Sequence, residues 1–434
     1  ELHAAVFAPQ GMGGSERGCV VCRREGPYPP GPPAAPEERK CALCLRLEEL
    51  GADLREARYL YLGQVDEQLP AGPARDYQDT LRALGLELRL FADGAALRRA
   101  APTLGAGTLY TLQDTHFLNA TTRAAAEAAG RELALGYYLL ANVTPHTADG
   151  AIADFADLAR AAQGVRRLGV LRMDVDDLGA LFGRGLGELA TLSRMAHLSF
   201  LLRLYFEGWL AVLARQHNAP AAPADTVYVI YSGGDDLFIV GAWDQLPSLA
   251  QAIRRDFGRF AAGNPALHLS GGLSLEEEHF PLYQAAERAG AALERAKARQ
   301  ANGRIVKDAL DFLGYTVSWD DLAAAAARAS DLRALVEEQG VPRALIHALA
   351  QIARLYEAAR AQPRRRATPA GQVPYGRWMW VAAYMLTRLA ERLHPPAQQQ
   401  VAALPQVLLQ PQAIRTLGLA ARWAELLVRK EEER

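Results

Sequence analysis

Between residues 161 and 300 the apolar positions follow two alternating patterns. Four short apolar runs, rich in Val, Ile, Leu, Tyr and Phe, have the composition of strands, and they lie at residues 166–174, 226–232, 236–242 and 266–275. Longer segments with apolar residues at helical spacing lie at 189–216, 243–260 and 281–299. In chain order these elements predict β-α-β-β-α-β, a ferredoxin-like split βαβ unit, with one further helix.

The second and third predicted strands are joined by residues 232–236, Ser-Gly-Gly-Asp-Asp. A Gly-Gly pair between two apolar runs predicts a tight hairpin, because glycine takes the positive φ of type I′ and II′ turns. In this fold the third strand lies between the first two and is antiparallel to both. Asp174 ends the first strand, and Asp235 and Asp236 begin the third. Three carboxylates are therefore expected at one edge of the sheet.

Three partly buried carboxylates repel one another unless a cation neutralises them. Two divalent ions a few ångströms apart are the usual arrangement in enzymes that transfer phosphoryl groups. Hard oxygen ligands favour Mg²⁺ or Mn²⁺ over Zn²⁺. The alternative is that these Asp residues only complete turns, as Asp commonly does.

All the cysteines of the chain lie near its start, as two Cys-x-x-Cys pairs. They are Cys19 with Cys22 and Cys41 with Cys44, and 18 residues separate the pairs. This spacing predicts a structural zinc site, since four protein ligands leave no open position for a substrate. Two disulfides or four free thiols are the alternatives.

Composition and charge exclude few functions. The 434 residues carry 48 basic and 49 acidic side chains, so the formal net charge of -1 argues against a protein that coats polyanions by its overall charge. Three consecutive Arg at 364–366 lie in a Pro-bounded segment and suggest contact with RNA phosphates or a neighbouring subunit. The alternative is a solvated loop.

The apolar stretch 197–214 contains Arg203 and Glu207, which favours a core helix over a membrane span. No signal peptide is recognisable, so a cytoplasmic location is expected.

Two motifs resemble a known family. DVDDLG at 174–179 and YSGGDDLF at 231–238 resemble the second palm domain of the large, polymerase-like subunit of type III CRISPR effector complexes. The form YSGGDDLF, with Val-Gly at 240–241 and Trp-Asp at 243–244, is most similar to the type III-A (Csm) version. The cysteine pairs upstream and a helical region downstream agree with the layout of that family. The resemblance covers nearly the whole chain.

The resemblance implies an α+β protein of four domains. They are a four-Cys zinc module at 1–50, a small α/β linker domain at 51–160, a ferredoxin-like palm (βαββαβ) with the Gly-Gly-Asp-Asp hairpin at 161–309, and a helical C-terminal domain at 310–434. The family's palm converts ATP into cyclic oligoadenylates when the complex binds target RNA, in antiviral defence. The implied partners are other Csm-type subunits (the small helical subunit and the subunit that binds the crRNA end), guide RNA and target RNA, with no membrane.

The resemblance also implies roles for individual residues. Asp174 and Asp235 would hold two Mg²⁺ or Mn²⁺ ions, the backbone carbonyl of Val175 would be a further ligand, and Asp236 would support or share the metals. Residues expected to contact ATP are Ser232, Gly233, Gly234, Lys297 and Arg304. The last two resemble basic residues that hold the triphosphate in related nucleotide cyclases. For both of them an ordinary solvated position is the alternative.

The sequence departs from the family pattern at its N-terminal side. The family usually begins with an HD nuclease domain and a first palm, but none of the 9 His here is followed by Asp, and no Gly-Gly-acidic hairpin precedes residue 233. The chain also begins with Glu. We expect it to be a fragment or to lack those domains, and no DNA cleavage is assigned to its residues.

Two other functions agree with parts of the pattern. A diguanylate cyclase shares the palm and the Gly-Gly-acidic hairpin, but here the last acid is Asp236 instead of Glu, and residues 224–232 lack an Arg-x-x-Asp inhibitory site. A non-catalytic scaffold in an RNA-protein complex is the other alternative. It gives no reason for gathering three uncompensated carboxylates.

Overall fold

A computed structural model describes residues 18–22, 28, 39–65, 77–130, 133–218, 224–301, 304–361 and 373–429. The chain divides into two units, Glu1–Leu140 and Ala141–Arg434. The basic segment 364–366 and the residues 302–303 beside Arg304 lie outside the described residues.

The first unit contains a four-stranded sheet in the order β2-β1-β3-β4. Its strands are β1 (Tyr59–Gln64), β2 (Leu86–Phe91), β3 (Gly107–Leu112) and β4 (Leu133–Tyr138). All neighbours are antiparallel except β3 and β4, which are parallel. Its helices are α1 (Ala42–Glu56), α2 (Tyr77–Ala83), α3 (Gly94–Ala100) and α4 (Ala120–Ala129). A small core of Tyr61, Leu97, Leu109 and Ala125 joins α3 and α4 to one face of the sheet.

The second unit is built on a six-stranded sheet in the order β12-β11-β8-β5-β7-β6. Its strands are β5 (Leu168–Val175), β6 (Val227–Gly233), β7 (Asp236–Ala242), β8 (Leu269–Glu276), β11 (Ala309–Phe312) and β12 (Tyr315–Ser318). A separate two-stranded hairpin consists of β9 (Gln300–Ala301) and β10 (Arg304–Ile305). β7 lies between β5 and β6 and is antiparallel to both, which confirms the predicted palm topology. The sheet extends past residue 309, because β11 pairs in parallel with β8.

The helices of the second unit surround this sheet and continue to the end of the described chain. They are α5 (Phe155–Arg160), α6 (Leu192–Arg203), α7 (Leu210–Asn218), α8 (Leu246–Phe260), α9 (Leu282–Lys297), α10 (Trp319–Glu337), α11 (Ala344–Ala361), α12 (Arg377–Ala390), α13 (Ala397–Val407) and α14 (Pro411–Val428). A π-helical turn, Leu204–Trp209, joins α6 to α7. The protein is therefore α+β, with a helical C-terminal region.

The continuous helical stretch Leu192–Asn218 is 27 residues long, enough to cross a membrane, and contains an 18-residue window with a mean hydropathy of 1.2. It is the one stretch among the described residues that meets this criterion, and 28% of the apolar window is buried. A core helix of a water-soluble protein meets the same criterion, so this is weak evidence for a span.

Close packing of α9 on the sheet depends on Gly272 in β8. A Cβ atom at Gly272 would lie 2.1 Å from the backbone nitrogen of Leu293 and 2.4 Å from the carbonyl oxygen of Ala289. Both atoms belong to the backbone of α9 and cannot move aside locally. The glycine thus allows α9 to lie directly on the sheet, which places the C-terminal end of the helix at the edge where β5 ends.

The C-terminal helices share one apolar core with the palm sheet. Trp423 of α14 packs edge-on against Phe312 of β11, with ring centroids 5.0 Å apart. The indole of Trp243 is fully buried, and its Nε1 donates a hydrogen bond to the carbonyl of Val165 at 2.9 Å. Aromatic pairs of this kind add about 0.5–1.5 kcal/mol beyond the burial of their area. The helical region therefore supports the sheet that carries the acidic edge.

Candidate active site

The hairpin between β6 and β7 turns at Gly234 and Asp235. Gly233 and Asp236 pair with each other, so the turn is Gly-Asp and not the Gly-Gly that the sequence suggested. Gly234 has φ +66°, as the first turn residue of a type II′ hairpin requires. The buried hydroxyl of Ser232 donates to the carbonyl of Phe206 at 2.8 Å. That bond anchors the hairpin to the helical turn beneath it.

The structure brings the three predicted acids together. Asp174 lies directly opposite Asp236 in the register of β5 and β7. The backbone N–H of Val175 donates to the carbonyl of Asp235 at 3.1 Å, which fixes the turn to the end of β5. All three Asp side chains are half-buried.

The electrostatics of this edge disfavour the charged acids. Burial, followed by the negative charges of Asp174 and Asp236, raises the pKa of Asp235. Burial and the charge of Asp174 likewise raise the pKa of Asp236, although a hydrogen bond from Tyr231 and, more weakly, the charge of Arg172 oppose this. The guanidinium of Arg172 lies 4.0 Å from the carboxylate of Asp236. An added cation would relieve this repulsion, so the donor set fits hard divalent ions.

Lys297, in the last turn of α9, makes an ion pair with Asp174. Both side chains are about one-fifth exposed, at 22% and 20%. Burial works against the charged ammonium, but the hydrogen bond and charge of Asp174 outweigh it and raise the pKa of Lys297. The ammonium of Lys297 thus neutralises the Asp174 carboxylate, where a metal ion could bind instead. Arg304, by contrast, is exposed on β10, and no contact joins it to the three acids in the part of the chain that the structure describes.

Asp176 forms a buried network that the sequence did not reveal. Its Oδ2 atom lies 2.6 Å from Nδ1 of His268, and it accepts from the hydroxyl of Ser270 at 2.8 Å and from the N–H of Asp308 at 3.2 Å. The side chain has no exposed area, and Oδ1 has no hydrogen-bond partner within the described ranges. The hydrogen bond and charge of Asp176 raise the pKa of His268. Asp176 therefore ties the end of β5 to the starts of β8 and β11.

Two further ion pairs lie at the same edge. Lys307 Nζ is 2.7 Å from Oδ1 of Asp177, and Arg254 donates two hydrogen bonds to Asp308, at 2.6 and 2.9 Å. Little in the sequence indicated that Lys307 lies at this edge. Lysine is rare in this chain, but nothing places residue 307 beside residue 177 until β11 joins the sheet.

The four cysteines cluster as predicted. Their sulfur atoms all lie within 4.8 Å of one another, and Cys22 Sγ is 3.7 Å from Cys41 Sγ. Tetrahedral zinc with Zn–S bonds of about 2.3 Å requires sulfur atoms about 3.8 Å apart. Burial opposes ionisation of Cys19, but hydrogen bonds from the backbone of Cys22, Cys41 and Val21 outweigh it and lower its pKa to about 6. All four are free cysteines, and they could hold one zinc ion.

Comparison with known families agrees with this geometry. Residues 167–306 match the family model of the Cas10/Cmr2 second palm domain. The chain is 37% identical over 183 residues to a protein of Methanocaldococcus jannaschii named CRISPR system single-strand-specific deoxyribonuclease Cas10/Csm1 (subtype III-A), covering 39% of this chain and 23% of the relative. A protein of the same name from Thermococcus onnurineus is 29% identical over 300 residues, covering 64% of this chain and 34% of the relative.

Solved structures show the same fold. A Csm1–Csm4 cassette in complex with cA4 matches with a TM-score of 0.58 and 20% identity, over 85% of this chain and 48% of that chain. A Csm1–Csm4 subcomplex of the type III-A CRISPR-Csm interference complex matches with a TM-score of 0.58 and 21% identity, over 89% of this chain and 50% of that one. The chain thus spans about half the length of these solved chains, and less of the curated relatives.

Proposed function

We propose that this chain, a homologue of the subtype III-A Cas10/Csm1 proteins with their second palm domain at residues 167–306, catalyses nucleotidyl transfer from ATP at its Gly-Gly-Asp-Asp hairpin. The products are cyclic oligoadenylates, made when the complex that contains the chain binds target RNA, in antiviral defence. One observation carries the proposal. Asp174, Asp235 and Asp236 converge at one edge of the palm sheet, with the ammonium of Lys297 beside them.

The acids would hold two Mg²⁺ or Mn²⁺ ions. Asp174 and Asp235 are the ligands in this proposal, with the carbonyl of Val175, and Asp236 supports or shares the ions. Such ions, when bound, lower the pKa of an attacking hydroxyl and neutralise a leaving group. The raised pKa values of Asp235 and Asp236 support this assignment, because burial and the neighbouring carboxylates disfavour their negative charge and a bound cation would offset both effects.

The other residues bind and orient ATP. With Asp174 engaged by a metal ion, the ammonium of Lys297 would be free to contact the triphosphate. Gly233 and Gly234 let phosphate approach the hairpin backbone, with the backbone of Ser232 beside them, and Arg304 contacts phosphate from β10. The 3′-hydroxyl of one ATP loses its proton to solvent and attacks the α-phosphorus of another; a new O–P bond forms while the bond from that phosphorus to the α,β-bridging oxygen breaks, and pyrophosphate leaves. The same step within one linear chain closes the ring. No protein nucleophile is needed, since the attacking oxygen belongs to the substrate.

The partners are proposed from the resemblance and from the solved neighbours. The matched structures include Csm1 with Csm4, and some of these hold cA3, cA4 or ATP, which describes those proteins. We infer that this chain works with other Csm-type subunits, including the small helical subunit and the subunit at the crRNA end, and with guide and target RNA. The deoxyribonuclease activity in the relatives' name is not carried over, because the chain spans 23% and 34% of those relatives.

A structural zinc ion at Cys19, Cys22, Cys41 and Cys44 completes the proposal. The clustered sulfur atoms support it, since all four lie within 4.8 Å of one another and four cysteines can hold one zinc ion as thiolates. With four protein ligands the ion has no open position, so it stabilises the fold around α1 and takes no part in the chemistry.

The test is mass spectrometry of the products that the assembled complex makes from ATP or from GTP with Mg²⁺, with and without target RNA. We expect cyclic oligoadenylates from ATP only with target RNA, and none from a variant with Asp235→Asn and Asp236→Asn. Asp331→Asn, which changes an exposed carboxylate on α10, is the matched control. A cyclic dinucleotide from GTP would favour the diguanylate cyclase alternative. Absence of any product, with RNA bound, would favour the scaffold.

A further inference from the structure

Lys307 lies at the acidic edge of the palm sheet although it is far along the chain from the hairpin. It precedes β11 by two residues, and β11 runs parallel to β8, whose first residue pairs with the last residue of β5. The start of β11 therefore meets the same edge as Asp174. The ammonium of Lys307 contacts the carboxylate of Asp177 at 2.7 Å, 130 residues away in sequence.

The backbone on both sides of Lys307 is held by charged side chains. Nε of Arg299 donates to the carbonyl of Lys307 at 3.2 Å. The next N–H, that of Asp308, donates to the buried carboxylate of Asp176, and the side chain of Asp308 accepts two hydrogen bonds from Arg254. These hydrogen bonds fix the backbone at Lys307. Its side chain is 26% exposed. A side chain that contacts a ligand needs a backbone held in this way.

Stability alone does not explain this arrangement. The Asp177 side chain is 59% exposed, and its residue has φ +57°, in the left-handed region beyond the end of β5. An ion pair with so exposed a partner contributes between about 0 and 1 kcal/mol to stability.

We propose that Lys307 is a further phosphate-contacting residue, which binds the β- or γ-phosphate of ATP. The inference rests on the proposed function, since it assumes ATP at this edge. The three acids lie at β5 and β7, and the two lysines lie toward β8 and β11. In this proposal the triphosphate lies along this edge, from the acids past Lys297 toward Lys307. An ammonium on a flexible stem suits phosphate, and Asp177 holds it in place until ATP arrives.

The test compares two variants that break the same ion pair from opposite sides. Lys307→Met removes the proposed phosphate contact, whereas Asp177→Asn leaves the ammonium available. Binding of ATP and of AMP to the full chain is measured by calorimetry, with Ca²⁺ in place of Mg²⁺ to prevent turnover. We expect Lys307→Met and Lys307→Gln to weaken ATP binding about tenfold and AMP binding less than about twofold, since the loss is that of one charge-assisted hydrogen bond. Asp177→Asn should not weaken ATP binding, and Lys307→Arg should retain most of it.

Three results would overturn the inference. Equal weakening by Lys307→Met and Asp177→Asn would show that the pair is only structural. Unchanged ATP binding in Lys307→Met, or an equal effect on AMP, would exclude a contact with the outer phosphates. The proposed function is decided separately, because it depends on whether Asp235→Asn with Asp236→Asn abolishes product. If that variant is inactive and Lys307→Met binds ATP normally, only the inference about Lys307 fails.

Discussion

Asp174 and Asp236 lie directly opposite each other in the antiparallel register of β5 and β7. Like charges in this position destabilise a sheet, by roughly 0.2–1 kcal/mol for an exposed pair. Here both strands belong to the centre of the sheet, and burial raises the cost of each charge, as the raised pKa of Asp236 indicates. The fold therefore maintains an arrangement of acids whose repulsion Lys297 and Arg172 neutralise only in part.

Asp236→Asn should stabilise the protein in buffer without added divalent ions. The change removes one of two opposed charges and keeps the shape of the side chain, so we expect a free energy of unfolding higher by about 0.5–1 kcal/mol. Added Mg²⁺ or Mn²⁺ should raise the melting temperature of the unaltered protein more than that of the variant. Thermal unfolding with and without the ion measures both effects. Asp331→Asn should change neither, and a destabilised Asp236→Asn protein without metal would contradict the argument.

Lys297→Met should affect metal and nucleotide in opposite directions. Lys297 competes with a metal ion for Asp174, so its loss should strengthen Mn²⁺ binding in the absence of ATP. The same loss should weaken ATP binding about tenfold, since it removes a charge-assisted contact to phosphate. Mn²⁺ titration followed by electron paramagnetic resonance, and calorimetry with ATP, measure the two constants. Lys40→Met, which breaks the Lys40–Glu48 ion pair, is the matched control. Weaker binding of both ligands would count against the competition.

The sequence was sufficient to predict the palm topology and the three converging acids. Each palm strand is a distinct apolar run, and the order of runs and helices leaves little freedom in where β7 lies. The register that sets Asp174 opposite Asp236 follows from the ends of those runs. What each acid does in the reaction remains a proposal.

The rest of the edge could not be predicted, because it depends on contacts between distant segments. β11 is only four residues long, too short for its apolar pattern to indicate a strand, yet it brings Lys307 to Asp177. The sequence also gave no sign that Asp176 turns inward to His268, since an Asp that follows a strand usually faces water. Buried partners of this kind become visible only when the strands are paired.

Loss of the zinc site should damage folding and leave the palm intact. We expect about one zinc per chain by elemental analysis, no disulfide among the four cysteines, and loss of the zinc in Cys41→Ser. Zinc binding contributes to folding, so this variant should show early melting or proteolysis near α1, while ATP binding by the full chain is retained. Val21→Ala, at an exposed position between two of the ligands, should behave as the unaltered protein. Zinc-free protein with Cys19 and Cys44 oxidised would exclude the site.

Acid should destabilise the second unit through His217. This residue lies in the last turn of α7, and its Nε2 atom is buried with no hydrogen-bond partner in the described part of the chain. Burial lowers the pKa of His217, and a hydrogen bond with the backbone of Gln245 opposes this only in part.

Below a pH of about 6.5 the unfolded chain therefore binds a proton at His217 that the folded protein does not. Stability is fully present above that pH and falls as the pH drops toward the lowered pKa, by at most about 1.4 kcal/mol per pH unit for one proton. His217→Gln removes the titrating group, so the loss of melting temperature between about pH 7.5 and pH 5.5 should be smaller in the variant. His279→Gln, at a side chain that is 86% exposed, should leave that loss unchanged. If His217→Gln loses as much stability in acid as the unaltered protein, the buried imidazole is not its cause.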